Sequence, residues 1–428
     1  MDKTDIAPPR TVGFWGTSLF QLNGMIGSGI FALPAVLVAA VGSFAPVLML
    51  IGGLIFLPLV LVFAWLAARF DGTGGPILYG KTAFGSFAGF QAGWGRFASG
   101  MVAMAANTHV MVAYFAAIFP VLENEMLATA TTVIVILLFT AINLFSMRGS
   151  VNTLGGLTVL KLAPLAILIA AAVFGQFTSP GIVLPQFSQV ETVVLLLFYA
   201  FIGFEGVTVP AGEIRDPKRD IPRVLVTVLA GVTVLYAVII WAYLTIGPEP
   251  GANENALAGA ADVALGQWGA VMIVLGAGFS IAANSFGGLI IVPRMAYGMA
   301  QQKMLPRWFE KVHPKYLTPA NAIAFYGILS SLFAIWGGFA ALAAASTLSR
   351  LLTYLITAAA LPVIEKREGA LNPLHAVVSV IAFGATVWIA SHANAQAWTM
   401  FGALLAVGTL LYFIARRRDD AGEETQAS

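Results

Sequence analysis

Residues 21–34 read QLNGMIGSGIFALP and residues 199–206 read YAFIGFEG. Each sits inside an apolar stretch, roughly 13–40 for the first and 190–211 for the second. A helix crossing a hydrocarbon core of about 30 Å needs about 20 apolar residues, and both stretches suffice. Gly24, Gly27 and Gly29 crowd the first at mid-helix; Gly203 and Gly206 bracket Glu205 in the second. Each glycine weakens a helix interior by about 1 kcal/mol relative to alanine, so both helices are expected to unwind there. A packing kink explains one such break. Two at corresponding depth, one holding an acid, point to the binding site of a transporter.

The rest of the chain supports that setting. Of 428 residues, 59% are hydrophobic and 10% charged, with a mean hydropathy of +0.88. Soluble domains carry about 25% charged residues, so most of this surface must face lipid. There is no cysteine, which excludes disulfides, a disulfide-linked subunit and a cysteine nucleophile. His109, His313, His375 and His392 are scattered, and no HExxH pattern occurs. No metal, cofactor, enzymatic or nucleic-acid role is expected, and a channel's ring of like charges is not visible.

Twelve spans can be drawn, at about 13–40, 44–68, 87–119, 127–147, 155–177, 190–211, 222–246, 267–300, 321–338, 340–363, 373–391 and 396–415. The opening MDKTDIAPPR mixes acids and bases ahead of a long apolar run, and reads as a retained first span rather than a cleaved leader. One alternating set of loops collects the basic residues, among them Lys3, Arg10, Arg69, Lys81, Arg96, Arg148, Arg215, Lys303 and Arg367. The opposite loops, near 120–126, 178–190, 247–266 and 392–396, hold no Lys or Arg but do hold Glu123, Glu125, Glu249, Glu254 and Asp262. Positive charge marks the inner side, so both termini are expected in the cytoplasm and the protein in the plasma membrane. Gly85, Gly89 and Gly93 form a small-residue ladder expected to pack helices closely.

An unwound helix frees N–H groups at the start of its second half, where the dipole also favours an anion. Carbonyls freed at the other break favour a cation. Together they suit the carboxylate and ammonium of a zwitterion.

Several segments resemble the amino acid–polyamine–organocation superfamily of permeases: QLNGMIGSGIFALP, GGPILYGKTAFGSFAGFQAGW (74–94), AGEIRDPKRDIPRV (211–224), PRMAYGMAQQKMLPRWFEKVHPKYLTPANAI (293–323) and STLSRLLTYL (346–355). The likeness runs from about residue 10 to 415. It departs at Gln302-Lys303, where many members have Asp-Gly, and at Asn23, which replaces a smaller residue. The resemblance implies an all-α polytopic membrane protein of 12 transmembrane helices, an inverted five-plus-five repeat with helices 1 and 6 interrupted. Its parts would be a cytoplasmic tail over 1–12, repeat one over about 13–177, repeat two over about 190–363, two added helices over about 373–415, and a cytoplasmic tail over 416–428. It implies a substrate carboxylate on the backbone of Ile26, Gly27, Ser28 and Gly29, and an ammonium on carbonyls near Tyr199, Ile202 and Gly203. Tyr199 would gate the site. It also implies that Lys161 stands near helices one and eight where other carriers hold sodium.

Charged groups at bilayer depth need a reason. Glu205 is a candidate proton carrier or gate switch, or else a protonated acid locking the second break. Lys161 either snorkels to the interface or serves as a second protonation site. Arg350 needs a partner, and Glu205 is a candidate, unless Arg350 faces the cavity and binds an anionic side chain. Asn107, Phe204, Asn284 and Arg350 are candidate cavity-lining residues, with His109 and Ser285 beside them. The expectation is a secondary transporter, a symporter or exchanger, of L-amino acids with neutral side chains, with protons as a possible co-substrate. The rivals are a polyamine or organocation carrier and a non-transporting sensor on the same fold.

Overall fold

The computed structural model describes residues 12–70, 74–145, 151–209, 211, 214–247, 255–316 and 318–427. Lys3, Arg10, Arg148, Glu249, Glu254 and most of the N-terminal tail lie outside the described residues. The described residues form helices and no strand; a single isolated bridge joins Val12 to Ile214.

In chain order the helices are α1 (Phe14–Met25), α2 (Gly29–Val41), α3 (Ala45–Arg69), α4 (Pro76–Phe84), α5 (Ser86–Ala116), α6 (Glu125–Phe145), α7 (Val151–Phe174), α8 (Phe187–Glu191) and α9 (Val194–Tyr199). A 3-10 turn over Phe204–Thr208 follows. Then come α10 (Pro217–Ile246), α11 (Ala256–Leu265), α12 (Gln267–Gln301), α13 (Ala320–Trp336), α14 (Phe339–Arg367), α15 (Pro373–Ser391) and α16 (Ala395–Ala427). By length and apolar composition, seven stretches among the described residues can each cross a membrane. The protein is a polytopic helical membrane protein.

Burial separates the helices into a centre and a rim. α5 is buried along most of its length and packs on α14, α12, α4 and α13. Its glycines serve that packing: a Cβ at Gly89 would meet the Ile77 carbonyl at 2.7 Å, so only glycine lets α4 lie this close. At the rim, α6, α15 and α16 expose Ile134, Leu138, Val380, Ile381, Leu410 and Phe413. An apolar rim of this extent fits the lipid setting that the membrane-length helices require.

Two features differ from the sequence reading. The stretch 247–266 was expected to be a loop, yet it contains α11, whose alanines favour helix and which buries Leu257 and Ala260 against the bundle. α16 continues to Ala427 rather than ending near 415. At Lys303, where relatives were expected to carry glycine, the backbone is left-handed at φ 60°. A non-glycine residue bears a cost of roughly 1–2 kcal/mol there.

Near the ends of α3, α14 and α15, a buried acid ties the helices together. Glu365 accepts from Arg69 Nη2 at 2.5 Å, from the Asn372 N–H at 3.1 Å, and pairs with His375 Nδ1 at 2.6 Å. His375 stacks on Trp65 with ring centroids 3.9 Å apart. Removing the acid leaves those donors without their acceptor, and charge-assisted bonds each contribute about 2 kcal/mol. Glu365→Ala is therefore expected to lower the thermal midpoint in detergent clearly, while leaving ligand-induced stabilisation intact. An unchanged midpoint would show that this cluster does not hold α15 to the bundle.

Candidate substrate site

The chain unwinds where the glycines stand. α1 ends at Met25, Ile26 is extended (φ −82°, ψ 92°), and α2 restarts at Gly29. The second break lies between α9 and the 3-10 turn, where Gly203 is left-handed at φ 104°. The two breaks touch through their backbones. A Cβ on Gly203 would overlap the Gly24 carbonyl oxygen, and one on Gly24 would sit 3.3 Å from the Gly203 oxygen. Glycine is required at Gly203 twice over, for its backbone angle and for this contact.

Carbonyls released by the first break must find other donors, and side chains supply them. Lys161 Nζ donates to the Ile26 oxygen at 3.2 Å and to Asn23 Oδ1 at 2.8 Å. Ser280 Oγ also reaches the Ile26 oxygen, at 3.5 Å, and the Tyr236 hydroxyl reaches that of Met25 at 3.3 Å. Asn284 Nδ2 donates to the oxygens of Asn23 and Gly24 at 2.9 and 3.2 Å. Asn23 Nδ2 continues the chain to Thr158 Oγ1 at 2.8 Å. Lys161 is wholly buried and, among the described residues, has no carboxylate partner. It does not snorkel. Among the described residues its Nζ donates only to carbonyl oxygens.

Asn107 joins both breaks. Its Oδ1 accepts from Ser28 Oγ at 2.5 Å and from the Tyr199 hydroxyl at 2.9 Å, while its Nδ2 donates to Asn284 Oδ1 at 3.1 Å. Farther along α5 lies an ion triad. Glu205 Oε1 is ion-paired with Arg350 Nη1 and lies 3.1 Å from Arg96 Nε. Its Oε2 accepts from the Tyr354 hydroxyl at 2.9 Å, and Arg350 Nε donates to Ser99 Oγ at 2.8 Å. All three charged groups are buried. Between the triad and the breaks lies a cavity of about 130 Å³. Asn23, Gly24, Gly203, Asn107, Asn284 and Ser285 form one part of its wall, and Arg96, Arg350 and Tyr326 another.

Comparison with known proteins matches the chain to a family. The family described as "Amino acid permease" matches residues 12–416, nearly the whole chain. The chain belongs to the amino acid permease family. Among curated relatives, uncharacterized transporters of Mycobacterium bovis and Mycobacterium tuberculosis are each 27% identical to this permease over 435 residues, covering 98% of it and 95% of their own length. The methylthioribose transporter of Bacillus subtilis is 23% identical over 442 residues, covering 96% of this permease and 94% of itself. The permease is a membrane transporter and not an enzyme.

Within the permease, the residues singled out in the sequence divide. Asn107, Asn284, Ser285, Arg350 and Gly203 line the cavity. Ile26, Gly27, Ser28, Gly29, Tyr199 and Ile202 do not. The space beside them is filled by Asn107 and Asn284, whose side chain would lie 3.2 Å from a Cβ at Gly27. Phe204 was expected at the cavity, yet it packs among Phe56, Phe63 and Tyr354 at centroid distances of 5.2, 4.9 and 5.3 Å. Its aromatic area is better buried there. His109 bonds to the Ala334 carbonyl at 2.9 Å, which is glue between helices. Glu205 was read as a proton carrier, a gate switch or a protonated lock, with Arg350 as a candidate partner, and the pair with Arg350 is present. With Arg96 it is the anion of an ion triad. Arg96 was counted with the loop charges, yet it is buried inside α5. The signal that could have found it is its place well within the span drawn over 87–119.

Proposed function

We propose that this permease is a secondary transporter of L-amino acids, working by alternating access in the plasma membrane with both termini in the cytoplasm. The observation that carries the proposal is the backbone contact of the two helix breaks, Gly24 against Gly203, at the edge of a cavity that Asn107, Asn284, Ser285 and Arg96 also line. Broken helices that meet near mid-depth are where transporters hold a charged substrate and its counter-groups. Twelve spans in an inverted five-plus-five repeat account for the pairing, with α1–α2 and α9 with its 3-10 turn as equivalent members.

The substrate carboxylate meets the first N–H groups of α2 around Ile26, Gly27, Ser28 and Gly29, where the helix has no internal partners to offer. The ammonium meets carbonyls around Tyr199, Ile202 and Gly203, with Tyr199 as gate. Asn107 and Asn284 now cover that backbone, so substrate entry requires them to swing aside. Lys161 is the proposed coupling group. Its partners are all neutral, so its proton can leave without stranding an anion, and releasing it frees the Ile26 carbonyl. Cationic cargo is disfavoured, because two guanidinium groups against one carboxylate leave the cavity wall positive. That argues against polyamines and for side chains without positive charge.

Thermal-shift titration of the purified protein with the twenty amino acids, putrescine and methylthioribose tests the substrate class. Ligand at 100 times its Kd stabilises by about 2.7 kcal/mol, which is readily seen. A rise with a subset of L-amino acids, absent for arginine and putrescine and lost in Gly27→Pro, is the expected result. A response to methylthioribose or putrescine alone would replace the amino-acid reading.

A further inference from the structure

Two polar side chains lining the cavity have no hydrogen-bond partner among the described residues. Arg96 is only 5% exposed; its Nε lies near Glu205 but out of line for a bond, and no other partner for its nitrogens exists among the described residues. Ser285 is 3% exposed, and its Oγ is likewise unbonded. Buried groups left unpaired are uncommon and call for an explanation. Charge points the same way. Arg350 uses Nη1 on Glu205 and Nε on Ser99, whereas Arg96 makes no hydrogen bond among the described residues, so Arg96 is the less engaged cation of a triad with one excess positive charge. Gly206 leaves the guanidinium room, since a Cβ there would sit 3.3 Å from Nη2. A guanidinium fork with free N–H groups matches a carboxylate in shape and charge.

We propose that Arg96, with Ser285 as a second donor, forms the subsite for a carboxylate of the transported molecule. The proposal rests on the permease reading above and adds the group that the cavity recognises. Two carboxylates have this chemistry: the side chain of an acidic amino acid and the α-carboxylate of any amino acid. In either case the ligand completes what the protein leaves unsatisfied, a charged donor set in a low-dielectric space.

Calorimetric titration of the purified full chain with L-glutamate, L-glutamine and L-alanine, in wild type, Arg96→Gln and Arg96→Lys, tests it. Arg96→Gln is expected to weaken carboxylate binding at least about tenfold, the size of one lost charge-assisted bond, and Arg96→Lys to restore part of it. A loss confined to glutamate assigns the side-chain carboxylate. An equal loss for all three ligands assigns the α-carboxylate to Arg96 and removes it from the α2 N–H groups where the proposed function puts it. Unchanged affinities in a folded Arg96→Gln protein overturn the proposal. Should that variant fail to fold, Ser285→Ala and Gly206→Ala carry the same expectation at smaller size, about threefold or more, and unchanged affinities in both overturn it. If wild type binds no amino acid, succinate separates the two ideas. Succinate binding that falls in Arg96→Gln keeps the subsite and discards the amino-acid reading, and no carboxylate binding at all discards both.

Discussion

Gly203→Ala is expected to yield a folded protein that has lost at least nine-tenths of its transport. At φ 104° an alanine is strained, by roughly 1–3 kcal/mol for such regions. Its Cβ also overlaps the Gly24 carbonyl, a backbone atom that no rotamer change can move away. The two breaks must then separate, and the cavity between them changes shape. Uptake into proteoliposomes measures the loss. Gly231→Ala is the control, since a Cβ there meets nothing within 4 Å, and it should transport as wild type does. Wild-type uptake by Gly203→Ala would mean that contact between the breaks is not part of the transport machinery.

The second large effect is expected at Lys161. Lys161→Met keeps much of the side-chain volume but removes the donor from Asn23 Oδ1 and the Ile26 oxygen. A buried acceptor left without its donor costs about 1–3 kcal/mol, so the thermal midpoint should fall. Uptake stimulated by an inward proton gradient should disappear in the variant, while amino-acid exchange without a gradient persists at a reduced rate. Gradient-driven uptake that survives in Lys161→Met would assign coupling to another group, and Glu205 is poorly placed for it. That carboxylate is engaged by Arg350, Arg96 and Tyr354 at once.

The two breaks were legible in the sequence because glycine has a local meaning: it weakens helix wherever it stands. Arg350 was legible as a charge in need of a partner, for the same kind of reason. Arg96 was missed because it was counted with the loop charges although it lies well inside the span drawn over 87–119; how deeply it is buried depends on how α5 is enclosed by α14, α12 and α13. The bridge from Ser28 and Tyr199 through Asn107 to Asn284 joins four distant segments, so no spacing reveals it. Phe204 lies one residue from Glu205, yet it points into an aromatic cluster supplied by α3 and α14. Neighbouring residues on a tight turn diverge in direction, and sequence proximity to the site misplaced this one. α11 was hidden because a stretch flanked by acids and lacking Lys or Arg reads as loop, although its alanines bury well.

The most direct test of the central claim is uptake of radiolabelled L-amino acids into proteoliposomes holding the purified protein. Time-dependent accumulation that exceeds protein-free vesicles, saturates with substrate and is released by unlabelled amino acid is the predicted result. Stoichiometric binding with no accumulation, under either a proton gradient or exchange conditions, would contradict it and make the protein a sensor built on a transporter's fold.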